Sequence, residues 1–97
     1  MKGDEKLWGI LNDKLDMLRA SNRLPEAIRV AETALDLAQR AFKPGERNYT
    51  ASLEKLGQLH DQAGDRAAAK PYLVKAHSFL EKAEPPAERA LFRSALR

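Results

Sequence analysis

Apolar residues recur along this chain at helical spacing, and turn-forming residues cut the pattern into blocks. Leu7, Leu11, Leu15 and Leu18, with Trp8 beside them, mark the inward face of a first helix that Asp4 is placed to cap. Ser21-Asn22 ends that run, because asparagine tolerates the left-handed backbone that turns a chain out of a helix. A second helix starts near Leu24, with Pro25 acceptable in its first turn. Its apolar face is Leu24, Ala27, Ile28, Ala31, Ala34, Leu35 and Ala38, closing at Ala41 and Phe42. So much alanine lets a neighbouring helix come close.

Lys43-Pro44-Gly45 breaks the pattern. A third helix follows from Arg47 or Asn48 to Gln62, with Leu53, Leu56, Leu59 and His60 inward. Gly64 supplies a left-handed turn and Asp65 a cap. The fourth helix runs to about Lys82 with Ala69, Leu73, Ala76 and Leu80 inward. Pro85-Pro86 interrupts again, and Ala87 to Arg97 reads as one more short helix with Leu91, Phe92, Ala95 and Leu96 apolar.

The order helix, tight turn, helix, proline-containing loop occurs twice, so the chain carries an internal repeat. A shift of 42 residues sets Ala27 on Ala69, Ala31 on Leu73, Ala34 on Ala76, Asn22 on Gly64 and Leu15 on Gly57. It also sets Pro44 on Pro86, Glu46-Arg47 on Glu88-Arg89 and Ser52 on Ser94. The stretch Leu53-x-x-Leu56-Gly57-x-x-His60, then Gly64-Asp65, Ala69, Leu73 and Ala76, resembles the tetratricopeptide repeat pattern. The period of 42 exceeds the usual one of about 34 by roughly two helical turns, which keeps helix faces in register. Repeats this long are similar to those of kinesin light chains, as are Thr50-Ala51-Ser52-Leu53, Ala69-Lys70-Pro71-Tyr72-Leu73 and Phe42-Lys43-Pro44-Gly45. The resemblance implies an all-α fold, a right-handed α-solenoid of antiparallel hairpins, in a single domain over residues 1–97. One repeat covers about 4–43, a second about 46–83, and a partial repeat or capping helix about 86–97. Three readings of the truncated third unit stay open: a cap, a place completed by another chain, or a cut from a longer array.

Composition narrows the function classes. Apolar residues are 43% and charged residues 32% of the chain, as in a soluble globular protein. There is no cysteine, hence no disulfide and no thiolate chemistry. No apolar run approaches the roughly 20 residues that cross a bilayer, and Met1 to Glu5 is unlike a signal peptide. A cytoplasmic location and no membrane partner are expected. The net charge of +3 is a weak bias, uneven only at the end, where Arg89, Arg93 and Arg97 face Glu88 alone. Nucleic-acid binding has little support without basic clusters and interleaved aromatics.

No catalytic group, metal site or cofactor is implied. Ser52, His60 and Asp61 make a triad only on paper, since eight residues of helix hold Ser52 and His60 roughly 12 Å apart. His60 and His77 read as packing residues, as do Trp8 and Tyr72.

In the family resembled, the first helix of each pair lines a concave groove that holds a partner peptide or helix. The resemblance then implies groove residues Asn12, Asp13, Asp16 and Arg19, followed by Ala51, Glu54, Lys55, Gln58, Asp61 and Gln62, and by Arg93 and Arg97. Such a groove is acidic at its N-terminal end and basic at its C-terminal end. Some relatives clamp a carboxylate terminus, but here Asn12 replaces a clamp lysine, Asp16 and Lys55 replace asparagines, and Arg93 replaces a lysine. A second surface is Ile10 with Met17, seven apart and away from the Leu11, Leu15, Leu18 stripe. Their second-repeat counterparts Ser52 and Leu59 are expected to pack on the preceding pair, which leaves Ile10 and Met17 bare; a homodimer through this face and the loss of an upstream repeat compete with simple tolerance of exposed apolar residues, and self-association is the hypothesis taken. The function expected is a non-enzymatic adaptor or scaffold module. The alternatives are a purely structural homo-oligomerisation unit and a basic nucleic-acid-associated helical protein.

Overall fold

The computed structural model describes residues 2–83, with side chains from residue 3 to residue 81. Four helices make two antiparallel hairpins: α1 (Lys2–Ala20), α2 (Leu24–Ala41), α3 (Arg47–Gln62) and α4 (Arg66–Ala83). α1 packs on α2, α3 on α4, and α2 on α3, so the hairpins stack in chain order. The expected segment 86–97 lies outside the described residues.

The two tight turns are built alike. Asn22 has φ 59° and Gly64 has φ 87°. Past each, a backbone N–H reaches back to an unsatisfied carbonyl of the helix just ended, Arg23 to Leu18 and Asp65 to His60, both at 2.8 Å. Asp65 also caps α4, its Oδ1 accepting the Ala68 N–H at 3.1 Å. Arg23, its counterpart, offers no side-chain cap and instead pairs with Glu26 at 2.6 Å.

The core is one cluster drawn from all four helices. Leu15, Leu53, Leu56 and Leu59 are its largest fully buried side chains, with Ala27, Ala31, Ala38 and Ala76 opposite. Trp8, Leu18, Ile28, Tyr72 and Phe79 pack around its edge. Phe79 meets Tyr49 edge to face at 5.5 Å, and His60 stacks on Tyr72 at 5.8 Å. Gly57 lets α3 and α4 close together, since a Cβ there would lie 2.7 Å from Leu73 Cγ and 3.3 Å from the Ala69 carbonyl oxygen.

Two expectations are corrected, on the start of α1 and on the cover of Leu7 and Leu80. α1 begins at Lys2, so Asp4 lies within its first turn, where its charge still suits the positive helix end. Leu7 is 47% exposed and Leu80 41%, although both sit on apolar stripes. Periodicity identifies an apolar face; it does not say whether a neighbour covers that face. As expected, α4 runs through Pro71, its sixth residue, and so lacks one interior hydrogen bond near its start.

Candidate functional site

α1 and α3 lie alongside each other, and the side chains expected to line a groove meet across the gap. Lys55 Nζ donates to Asn12 Oδ1 at 2.7 Å and to both Asp16 carboxylate oxygens at 3.1 Å. One turn further along, Arg19 Nε donates to Gln62 Oε1 at 2.7 Å and Arg19 Nη1 to Gln58 Oε1 at 3.3 Å. These bonds span 43 and 39 residues, one repeat period plus one and minus three, the offsets that share a helix face. The result is a ladder of polar side chains fixed between two helices.

Lys55 is more covered than the carboxylate it meets, its side chain 24% exposed against 49% for Asp16. A partly desolvated pair held by three hydrogen-bond acceptors is firmer than a lone surface pair. Asp61, the last acidic residue of the strip, turns to Arg66 at 3.6 Å. Asp13 is exposed and Glu54 half-buried, and neither has a polar partner among the described residues. Ala51 lies half-buried beside Glu54. Arg93 and Arg97 lie outside the described residues, and with them the basic end of the expected polarity. Within the described strip, Asp13, Asp16, Glu54 and Asp61 outnumber Arg19 and Lys55.

The second surface is wider than Ile10 and Met17. These are 57% and 71% exposed, and Leu7 and Lys14 share their side of α1. One period on, the same positions hold Tyr49, Ser52, Leu56 and Leu59, all buried; Ser52 meets the first hairpin at Trp8, while Tyr49 meets Phe79 of α4. Ser52 Oγ accepts the Trp8 indole N–H at 2.7 Å, a bond that joins the hairpins and that sequence reasoning missed. Testing pairs at one period plus one to two residues was the signal available.

A third feature was also missed. Between the first half of α3 and the end of α4 lies a hollow of about 380 Å³. Thr50, Ala51 and Glu54 line one side, Phe79 and Leu80 the other. Its walls are mostly apolar, and Arg47 and Glu54 are the charged residues that line it. No group of three or more His, Asp or Glu among the described residues is arranged to hold a metal ion. No described helix is long and apolar enough to cross a membrane.

Comparison with curated proteins and with solved structures returns no match. The model of the tetratricopeptide repeat family matches residues 11–91, which takes in the second half of α1, all of α2, α3 and α4, the ladder and the Leu56-Gly57 junction. With hairpins stacked in order and a repeat-spaced ladder between their first helices, the chain belongs to the tetratricopeptide repeat family.

Proposed function

We propose that this protein is a protein-binding module whose α1–α3 strip holds a peptide or helix of a partner. Tetratricopeptide repeats generally mediate protein–protein interaction. The observation that carries the reading is the ladder of Asn12, Asp16 and Lys55 with Arg19, Gln58 and Gln62. Cross-helix bonds hold these polar groups in place before any partner arrives, which lowers the ordering cost of binding. Clamping a carboxylate terminus is disfavoured, because Lys55 is already engaged by Asp16. The acidic excess favours a partner segment that brings N–H donors and basic side chains.

The test is affinity capture from cell extract with three proteins: wild type, Asp13→Arg/Asp16→Arg, and Ile10→Asp/Met17→Asp. A partner kept by wild type and by the Ile10/Met17 variant, but lost by the Asp13/Asp16 variant, supports the strip. Loss in the reverse pattern moves the binding surface to the α1 end face. Equal capture by all three removes the reading.

A second reading, self-association, rests on the exposed Leu7, Ile10 and Met17. Lys14, standing where the second hairpin has Leu56, interrupts that face with a charge and weakens it as an interface. Sedimentation across a concentration series tests it. A strict monomer at high concentration leaves the face as a solvated end of the stack.

A further inference from the structure

The outer side of α1 carries a seam of its own. Gly3, Leu7, Ile10, Lys14 and Met17 follow one another at steps of 4, 3, 4 and 3 residues, the spacing at which one helix meets another in a coiled coil. All five are exposed, and a Cβ added at Gly3 would meet nothing within 4 Å. Lys6 and Asp13 flank the seam on one side, each one residue before a seam position, and Asp4 borders the other side. At about 100° per residue, Asp13 lies about 60° from Ile10 and about 100° from Asn12, so it borders the seam as well as the strip. The side chains of Asp4, Lys6, Asp13 and Lys14 have no ion-pair or hydrogen-bond partner among the described residues.

This order of charges complements itself when two such helices run in opposite directions. In a parallel pair each seam residue stands level with its own copy, so Lys14 meets Lys14. In an antiparallel pair the flank that carries Lys6 and Asp13 faces the same flank of the other copy, and the two charges can exchange partners. We infer that two copies of this chain pair through α1, antiparallel about a twofold axis, with Leu7 of each against Ile10 of the other and Lys6 of each against Asp13 of the other. The inference rests on the self-association reading above and gives it a register.

The register also accommodates Lys14, the charge that interrupts the face. With Leu7 level with Ile10, Lys14 stands level with Gly3 of the other copy, where open space receives the lysine stem. Its ammonium then arrives beside Asp4, one residue from Gly3. Lys6 comes within about two residues of rise, roughly 3 Å along the axis, of Asp13. Twofold symmetry makes every contact twice. Met17 falls past the end of the paired stretch. One helix face is smaller than the roughly 1,200 Å² of stable complexes, so the dimer is a weak one that forms at high protein concentration.

Sedimentation equilibrium of the full chain at low salt, where charge pairs are least screened, tests the pairing. The wild type should dimerise, and Ile10→Asp should abolish the dimer. Lys6→Glu and Asp13→Lys should each raise the dimer dissociation constant about tenfold, because each turns two attractive pairs into repulsive ones. An equimolar mixture of these two variants should regain the wild-type affinity, since both attractive pairs re-form between unlike copies. All the substituted positions are exposed, and circular dichroism checks that the variants fold. A mixture that associates no more tightly than either variant alone overturns the register while self-association stands. A dimer that survives Ile10→Asp overturns both. So does a chain that stays monomeric up to about 1 mM, which leaves the face to solvent or to a different partner.

Discussion

At the residue scale the most telling position is Gly57. In a helix interior, alanine is ordinarily better than glycine by about 1 kcal/mol. Here a Cβ would sit 2.7 Å from Leu73 Cγ, a branch point rather than a mobile tip, with the Ala69 carbonyl oxygen 3.3 Å away. Overpacking of this kind costs about 1–3 kcal/mol, so the clash outweighs the propensity gain. The first hairpin solves the same crossing with the sizes exchanged, Leu15 for Gly57 and Ala31 for Leu73. Gly57→Ala should lower stability in urea unfolding by about 1–2 kcal/mol. Adding Leu73→Ala should cost about 1 kcal/mol less than the sum of the single losses. Strict additivity would mean that the two do not share space. Trp8 gives a second reading at this scale. Ser52→Ala removes the acceptor of its indole N–H and should destabilise by about 1 kcal/mol. It should also shift the emission of the only tryptophan in the chain, measured in the folded state.

At the element scale, punctuation residues decide where helices stop. Asn22, Gly45 and Gly64 all have positive φ, and each stands where sequence alone places a break. Helix ends were therefore legible to within a residue or two for α2, α3 and α4. The start of α1 was not, because Asp4 is a good cap by type and nothing before it forces the chain out of helix. Pro71 shows a sequence rule overridden by packing. α4 passes through it because Ala69, Tyr72 and Ala76 on the same helix are held against the core. The Ala67 carbonyl loses its helical donor, and Ala67 is an exposed residue, so this lost bond does not fall in the core. Pro71→Ala restores that bond, though it also frees the unfolded chain. The net gain should be about 1–2 kcal/mol by urea unfolding; a lower midpoint would show that Pro71 is favourable where it stands. Cross-helix partners were less legible than boundaries. Asn12, Asp16, Arg19, Lys55, Gln58 and Gln62 were each placed on the groove, yet their mutual bonds depend on how far one helix slides along the next. That offset is a tertiary quantity, set by core side chains such as Leu15, Leu53 and Leu56.

At the scale of the whole molecule, stacking makes equivalent positions unequal. The side of α1 bearing Leu7, Ile10, Lys14 and Met17 has no hairpin before it among the described residues, while α3, with Tyr49, Ser52, Leu56 and Leu59 buried at the same positions, follows one and packs on its α2. The same stripe is thus an outer surface in the first hairpin and an interface in the second, which no local pattern distinguishes. This inequality makes a direct prediction. Met17→Asp changes a side chain that is 71% exposed and should alter stability by no more than about 0.5 kcal/mol. Leu59→Asp, one period on, puts a carboxylate at a position that is 0% exposed, between the hairpins. It loses the buried leucine and strands a charge, each costing about 2 kcal/mol or more, a large share of what so small a domain has. Circular dichroism during urea titration separates the outcomes: an unshifted transition for Met17→Asp and loss of cooperative folding for Leu59→Asp. If Met17→Asp instead destabilises strongly and in a concentration-dependent way, the face is covered by a second copy in solution, because only association makes a loss of stability depend on protein concentration.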